Sequence, residues 1–599
     1  MLTCFWPVEV ILVLSSLARA APRSKTLRSR ERSGVAVAYK KTDICETNPG
    51  VESYSGYITL PDQSNVFFWF FEARNNPQTA PLTVWLQGGP GLASTTQAVS
   101  GHNGPCVARN DSNSTDDNPW SWNTISNMLY IDQPVDTDML TGDIDVSGSG
   151  TVDTTHRVGI FGSQDPAKTA NTTKYTADAI EQFLVLWFEE FPLHQRDSIN
   201  IWSQSYGGHF APAIAGLLNE RKPSSKCLDG SSEMKGTAGL FNGVKVASVG
   251  IINGLIDIKT QIPHYIGFAV NNTYGLQAYP EITATQIRAK FEAPSGCRDQ
   301  GIQCASLQRQ HDPDNLGTDS NVNSVCLAAM LTCQNDVVAG PYSSSGVRFV
   351  PCTLLPGAWV EGLKHAQLNN FDIGHLLPDS LPPPYGKGFL QQQWVRDALG
   401  AAVNFSDTGN IAQQNFAITG DYVRGYLPEL GALLDAGVKV ALIYGDRDYQ
   451  CNWFGGEAVS LAINYTDQDA FAAAGYAELV TSGSYIGGKV RQHGGLSFSR
   501  VFDAGHEVPY YQPETVYRIF SRTLGGCDIA TGKISATSQY STAGPATIFD
   551  VTNSPPRQPP IECYVEAAPI SSRCTPNQIR ALQDGTAVVE SGIMVIPAE

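Results

Sequence analysis

A serine, an aspartate and a histidine, far apart in the chain and in that order, carry the chemistry this sequence can do. They stand in Ser203-Gln204-Ser205-Tyr206-Gly207-Gly208, Gly445-Asp446-Arg447-Asp448 and Asp503-Ala504-Gly505-His506. A serine hydroxyl is a weak nucleophile near neutral pH. It becomes a strong one when an imidazole within hydrogen-bond reach takes its proton and a carboxylate holds that imidazole in the right tautomer. Ser205, His506 and Asp448 are the candidates for those roles, with Asp446, two residues earlier, as the competing acid. The chemistry is nucleophilic acyl transfer.

Each motif follows a run that reads as a buried strand: residues 198–202, 439–444 and 497–502. A nucleophile on a strand-to-helix turn, then an acid, then a histidine is the chain order of an α/β-hydrolase triad. The surrounding pattern agrees. Residues 54–60 and 65–72 are β-rich and separated by Pro61-Asp62-Gln63-Ser64, an opening hairpin. Residues 81–87 form a third strand running into Gly88-Gly89-Pro90-Gly91, and 127–132 a fourth. Residues 175–191 have helical apolar spacing and stop before Pro192. A helix through Leu218 follows the nucleophile strand, and then a strand at 244–252. Residues 256–384 break the alternation and read as an inserted cap, after which a helix near 427–436 leads to the acid-bearing strand. The Ser/Thr/Pro-rich stretch 527–560 reads as a linker, and 561–599 as a small appendage stapled by Cys563 and Cys574. The predicted architecture is an α/β-hydrolase fold with a mostly parallel central sheet, an inserted helical cap and a small C-terminal extension. Its core comes in two parts, 44–255 and 385–526.

The chain has 599 residues, 42% hydrophobic and 16% charged, enough to bury a large core. A net charge of −17 and a pI near 5.0 argue against nucleic acid as a partner. Positive charge is concentrated in 23–41, within a basic lead-in or pro-segment at 21–43. Residues 1–20 read as a signal peptide, with an apolar run at 5–17 and Ala18-Arg19-Ala20 as cleavage site. That run is shorter than the about 20 residues a membrane span needs. No later segment reads as a span, and 592–599 lacks the hydrophobic tail of a lipid-anchor signal. Thirteen cysteines fit an oxidising compartment. Cys297/Cys304 and Cys326/Cys333 each sit seven apart, on one helical face, so two antiparallel helices would form nested bridges, Cys297–Cys333 and Cys304–Cys326. The spacing is wrong for zinc, and no metal is expected. Sequons at Asn110, Asn113, Asn171, Asn271, Asn404 and Asn464 predict N-linked glycans. The expected destination is outside the cell, or a vacuolar or lysosome-like compartment.

The motifs resemble the serine carboxypeptidase family, most of all its secreted fungal members, over about residues 44–524. The markers are Trp85-Leu86-Gln87-Gly88-Gly89-Pro90-Gly91, Asn118-Pro119-Trp120-Ser121-Trp122-Asn123, Asp132-Gln133-Pro134, Ser205-Tyr206-Gly207-Gly208-His209, Gly445-Asp446-Arg447-Asp448 with Cys451-Asn452-Trp453, and Gly505-His506 with Val508-Pro509. The resemblance implies a peptide substrate shortened from its C-terminus, no cofactor, and Asp448 as the acid. It also implies an oxyanion hole built from the backbone N–H groups of Gly89 and Tyr206. Such donors are typically worth about 3–4 kcal/mol of barrier each.

The sequence departs from the family where the substrate's free carboxylate is held. An Asn before the Gly-Gly turn, a Glu before the nucleophile and a supporting Glu are replaced by Gln87, Gln204 and His102. A glutamic acid donates to a carboxylate only while protonated; an amide donates at any ordinary pH. The expectation is a weaker acid-side preference in substrate binding, or a substrate whose end is blocked. Asp136 and Asp138, with Glu507 beside His506, favour basic side chains by charge or are merely solvated. Cys451 is an unpaired thiol near the site or an inert buried one, and Ser203 occupies the usual glycine position of the elbow. The alternatives are an esterase or acyltransferase on the same triad, and a catalytically silent binding homologue.

Overall fold

The computed structural model describes residues 28–32, 35–133, 158–159, 169–220, 244–338, 368–406, 409–565, 574–590 and 593–595. The signal peptide, Asp136 and Asp138 lie outside these residues. The main sheet has twelve strands: β1 (Arg28–Arg32), β2 (Val35–Thr42), β3 (Ser53–Thr59), β4 (Asn65–Phe71), β5 (Leu82–Leu86), β6 (Asn127–Asp132), β7 (Ser198–Gln204), β8 (Lys245–Ile252), β9 (Lys439–Gly445), β10 (Ala477–Ser482), β11 (Tyr485–His493) and β12 (Leu496–Val501). Their spatial order is β1-β2-β3-β4-β6-β5-β7-β8-β9-β12-β11-β10. The parallel character belongs to the middle, β6-β5-β7-β8-β9-β12. Both margins are antiparallel. Central strands such as β5 and β6 are buried throughout, which is why they read as continuous apolar runs rather than alternating ones.

Helices cover both faces of the sheet. One apolar layer takes side chains from α1 (Thr173–Glu190), α2 (Gly207–Glu220), α7 (Leu427–Asp435) and α8 (Trp453–Ala462). The opposite layer is built against α9 (Pro513–Gly525) through Val516, Ile519 and Phe520. The inserted region holds α3 (Ile258–Val270), α4 (Glu281–Glu292), α5 (Cys297–His311) and α6 (Ser320–Cys333). Disulfides Cys297–Cys333 and Cys304–Cys326 join α5 to α6 in the nested pattern that their spacing predicts. Cys45–Cys106 and Cys563–Cys574 are also bridged. Past the second bridge, α10 (Pro576–Gln583) is closed by a capping box at Thr575 and Gln578. Among the described residues, no helix is long and apolar enough to cross a membrane.

Two segments differ from their compositional reading. Within the basic lead-in, β2 pairs with β3 from Ala36 to Thr42 and buries Val37. The stretch after Cys527, read as a linker, lies along the core as an extended arm. Ile529 and Ile548 are buried, Thr542 N–H donates to Gln492 O at 2.9 Å, and Asn553 N–H donates to Thr273 O at 2.9 Å. Its Ser/Thr/Pro content marks an absence of regular structure, and the core's own polar groups satisfy its backbone instead.

Since β7, β8, β9 and β12 are parallel neighbours, the turns after β7, β9 and β12 open on one rim of the sheet. Sites in open α/β sheets form outside these carboxyl ends.

Candidate active site

The turn after β7 is a sharp elbow. Ser205 has φ +60, a conformation costly for a non-glycine residue and characteristic of strained functional turns. It is fixed through its backbone: Ser205 N–H donates to Ile252 O, and Ser205 O accepts from Leu255 N–H, both at 2.9 Å. Ser203 is accommodated by donating its hydroxyl to Gly207 O at 2.9 Å. Next to the nucleophile, Tyr206 is anchored by its phenol to buried Asp421 at 2.6 Å and by stacking on His209. The Gly-rich turn lies directly over the elbow. A Cβ on Gly88 would come within 2.5 Å of Tyr206 N and 2.7 Å of Ser205 Cβ, so only glycine permits this approach. Gly89 follows with φ +108.

The candidate acid and base come from the turns after β9 and β12. His506 Nδ1 and Asp448 Oδ2 are 2.6 Å apart and both residues are buried. The carboxylate fixes the Nδ1–H tautomer and leaves Nε2 as the basic nitrogen. Burial opposes a charged imidazole, but the Asp448 charge, its hydrogen bond and Glu507 outweigh it and hold His506 above the usual histidine range. Asp446 points elsewhere, accepting from Tyr274 at 2.7 Å, Asn553 at 2.9 Å and Arg500 at 3.2 Å. Asp448, not Asp446, therefore faces the imidazole.

Two positioning groups were not read from the sequence. Asn253, at the end of β8, donates to His506 O at 2.9 Å and accepts from Gly445 N–H at 2.8 Å, stitching the acid and base turns together. Phe371 accepts His506 N–H on its carbonyl at 2.7 Å and sets its ring 5.0 Å from the imidazole. The only sequence cue was Asn253-Gly254 just past a strand, a common turn pair. Among the described residues no hydrogen bond joins the Ser205 hydroxyl to the ring. The two turns do meet: Gln204 Nε2 donates to His506 O at 3.3 Å and to Glu507 Oε2 at 2.6 Å.

The three altered family positions are all buried. Two of them, Gln204 and His102, converge on Glu507, with His102 Nε2 at 3.1 Å from the same oxygen that takes Gln204. Against burial, which would raise it, His102, His506 and Gln204 pull the Glu507 carboxyl down to about 2. Because Gln204 faces two acceptors, its amide must present nitrogen to them. Its Oε1 is then left buried without a partner, as is Gln87 Oε1. Gln87 is held by its backbone, donating to Ser94 Oγ and accepting from Gln133 Nε2, each at 2.9 Å.

Cys451 is a buried free thiol. Burial and the Asp448 charge push its ionisation well above the ordinary thiol value, so it forms a neutral wall beside the pair. Asp448, Cys451 and His506 bring ligating atoms within 4.8 Å of one another, though Asp448 already engages Nδ1. Of the sequon asparagines, Asn110, Asn113, Asn271 and Asn464 are exposed, and Asn171 and Asn404 half-buried.

A strained elbow under a glycine turn, facing a buried carboxylate–imidazole pair across a parallel sheet rim, is the layout of an α/β-hydrolase. A family model described as serine carboxypeptidase matches residues 44–526, and the chain belongs to the serine carboxypeptidase family. It is 40% identical over 607 aligned positions to carboxypeptidase S1 homolog A of Arthroderma otae, covering 96% of this chain and 88% of that protein. It is 31% identical over 488 positions to carboxypeptidase S1 of Penicillium janthinellum, covering 81% and 98%. Among solved structures, Kex1(delta)p, a prohormone-processing carboxypeptidase from Saccharomyces cerevisiae, aligns with a TM-score of 0.53 at 18% identity over 80% of this chain and 92% of that one. That likeness is one of fold.

Proposed function

We propose that Ser205, His506 and Asp448 are the machinery with which this serine carboxypeptidase removes C-terminal residues from peptides. The observation that carries the reading is the 2.6 Å Asp448–His506 contact on the rim that also bears the Ser205 elbow. Ser205 Oγ attacks the terminal peptide carbonyl while His506 Nε2 takes its proton. The oxyanion is received by the N–H groups of Gly89 and Tyr206. The tetrahedral species collapses with the proton passing from His506 to the leaving amine, and the acyl group stays on Ser205 as an ester. Water, deprotonated by the same nitrogen, releases the shortened peptide. Each step uses protein groups and water alone.

The altered clamp bears on specificity. With Gln204 Nε2 committed to Glu507, the site cannot rely on a protonated glutamic acid to grip a carboxylate, and the acid-side preference of binding is weakened. The leaving residue departs on the His506 side, where Glu507 stays ionised, so lysine or arginine at that end is favoured by charge. The orphan oxygens of Gln87 and Gln204 are acceptors without a donor, which favours as second reading a blocked, amide-like or ester end. Four bridges and the exposed sequons support a secreted or vacuolar glycoprotein made with a cleaved leader.

Incubation with an unmodified peptide should yield a mass ladder shortening from the C-terminus, and an organophosphonate should label Ser205 stoichiometrically. Turnover of esters or amides with free-ended peptides untouched would favour the second reading. Absent labelling would mean a silent homologue.

A further inference from the structure

The arm lies outside the family-matched stretch, yet it reaches groups a few residues from the acid and the base. Two buried arginines on neighbouring strands donate to its backbone. Arg491 of β11 reaches Ala546 O at 2.6 Å, and Arg500 of β12 reaches Ile548 O at 2.9 Å and Val551 O at 3.0 Å. Arg500 also donates to Thr273 Oγ1 at 2.8 Å and lies over the Trp453 ring. Its carboxylate partner is Asp446, and neither residue is exposed to solvent. Asp446 accepts in turn from Asn553 Nδ2 at 2.9 Å. Phe549 closes the arm against Trp453 and Phe454, with ring centroids 4.9 and 4.7 Å away.

A buried ion pair is stable only when its remaining donors and acceptors are met. Here the arm supplies two carbonyls to the Arg500 Nη groups and one amide to Asp446, while Arg500 Nε stays without a partner. Asp446 stands two residues before Asp448, and its N–H donates to Val501 O at 3.0 Å, the last residue of β12. Arg447 N–H donates to Ala504 O at 2.9 Å, so the acid turn and the base turn are hydrogen-bonded directly above this pair. The other ionisable groups facing Asp446 are Tyr274, which bridges it to Asp503, Asp503 itself, the neighbouring Arg447 and, more weakly, Tyr485. Glu457 of α8 acts at one remove, through Tyr476, Arg491 and Arg500.

We propose that Asn553 is a positioning residue for the Asp448–His506 pair, and that the arm sets the separation of the two turns by fixing Asp446 and Arg500. This rests on the reading that the pair drives catalysis. Displacing the amide leaves Asp446 short of a donor, and the turn shifts by tenths of an ångström, which matters where a base must be aligned with a nucleophile.

The test uses the full chain with Asn553→Ala and Asn553→Asp, each rate divided by the number of organophosphonate-titrated sites. Asn553→Ala should lower kcat about tenfold or more with KM within about twofold, the signature of a lost alignment rather than lost binding. Asn553→Asp sets a second carboxyl beside Asp446. The two share a proton in acid and repel when both ionise, so kcat should be near normal in acid and fall on the alkaline side with an ionisation that the unsubstituted enzyme lacks. Should Asn553→Ala fail to fold, the pH profile of Asn553→Asp still decides. Unchanged kcat per labelled site, or an unchanged pH profile in Asn553→Asp, with only the melting temperature lowered, overturns the proposal. Failure of the unsubstituted protein to label would instead overturn the functional reading.

Discussion

The proposed selectivity turns on the surroundings of Glu507. Its Oε2 takes contacts from both Gln204 and His102 and is held down to about 2, so it is anionic at every pH at which the enzyme would be assayed. It also helps to raise His506. A base must be neutral to accept a proton, so a raised imidazole places the acid limb of kcat/KM above the ordinary histidine value. Glu507→Gln removes one of the raising charges. The acid limb should move to lower pH, and preference for lysine over leucine at the leaving position should fall by about tenfold, or about 1.4 kcal/mol. Measuring kcat/KM against pH on two such peptides checks both, and an unmoved preference would remove Glu507 from specificity. The turns that bring Ser205, Asp448 and His506 to one rim were legible in the chain because their local sequences are distinctive. The Gln204–Glu507–His102 contact was not, since it forms only when the ends of β7 and β12 meet, a matter of register across two intervening strands.

Among the elements, the short strand Asp372–Leu376 carries an unusual load. It follows Phe371, which grips His506, and it buries Asp372 against Arg447 at 2.9 Å and His375 against Asp379 at 3.0 Å. Burial pushes Asp372 up to about 6, with Arg447 and His375 opposing. Between about pH 4 and 6 the folded state therefore holds a proton that an unfolded aspartate has released, and stability falls as pH rises through that window. His375, raised chiefly by Asp379 and Asp372 against burial, adds stability below the ordinary histidine value that is lost at higher pH, the same direction. Asp372→Asn should flatten the pH dependence of the unfolding free energy from urea titrations across this window, by an amount on the order of 3 kcal/mol. An unaltered slope would show that Asp372 does not titrate there. This strand falls in the region the sequence marked only as an inserted cap, and its role rests on buried charge that composition does not reveal. The arm was misread for the same reason: Arg491 and Arg500, which hold it, belong to other elements. The hairpin β10–β11 escaped notice because Glu478, Gly487, Gly488 and Lys489 interrupt its apolar pattern. The central strands were plain, being apolar over most of their length.

At the scale of the whole molecule these shifts combine with net charge. Glu507, lowered from 4.5, contributes stability that is present above about pH 4.5 and lost as pH falls toward about 2. Asp372 and His375 act in the opposite direction above about pH 4. With a net charge of −17 at pH 7 and a pI near 5.0, self-repulsion is least in mild acid. The melting temperature should therefore peak between about pH 4 and 6, and calorimetry showing a continued rise to about pH 8 would contradict this balance. The arm has a consequence of another kind. Residues 546–553 follow every strand of the main sheet in the chain, so a polypeptide still being made owns its hydroxyl, imidazole and carboxyl before it owns the brace that aligns them. Newly synthesised protein would thus remain harmless to its neighbours until translation has passed that point. A single nick that let the brace drift away would silence a mature molecule without altering any reacting atom.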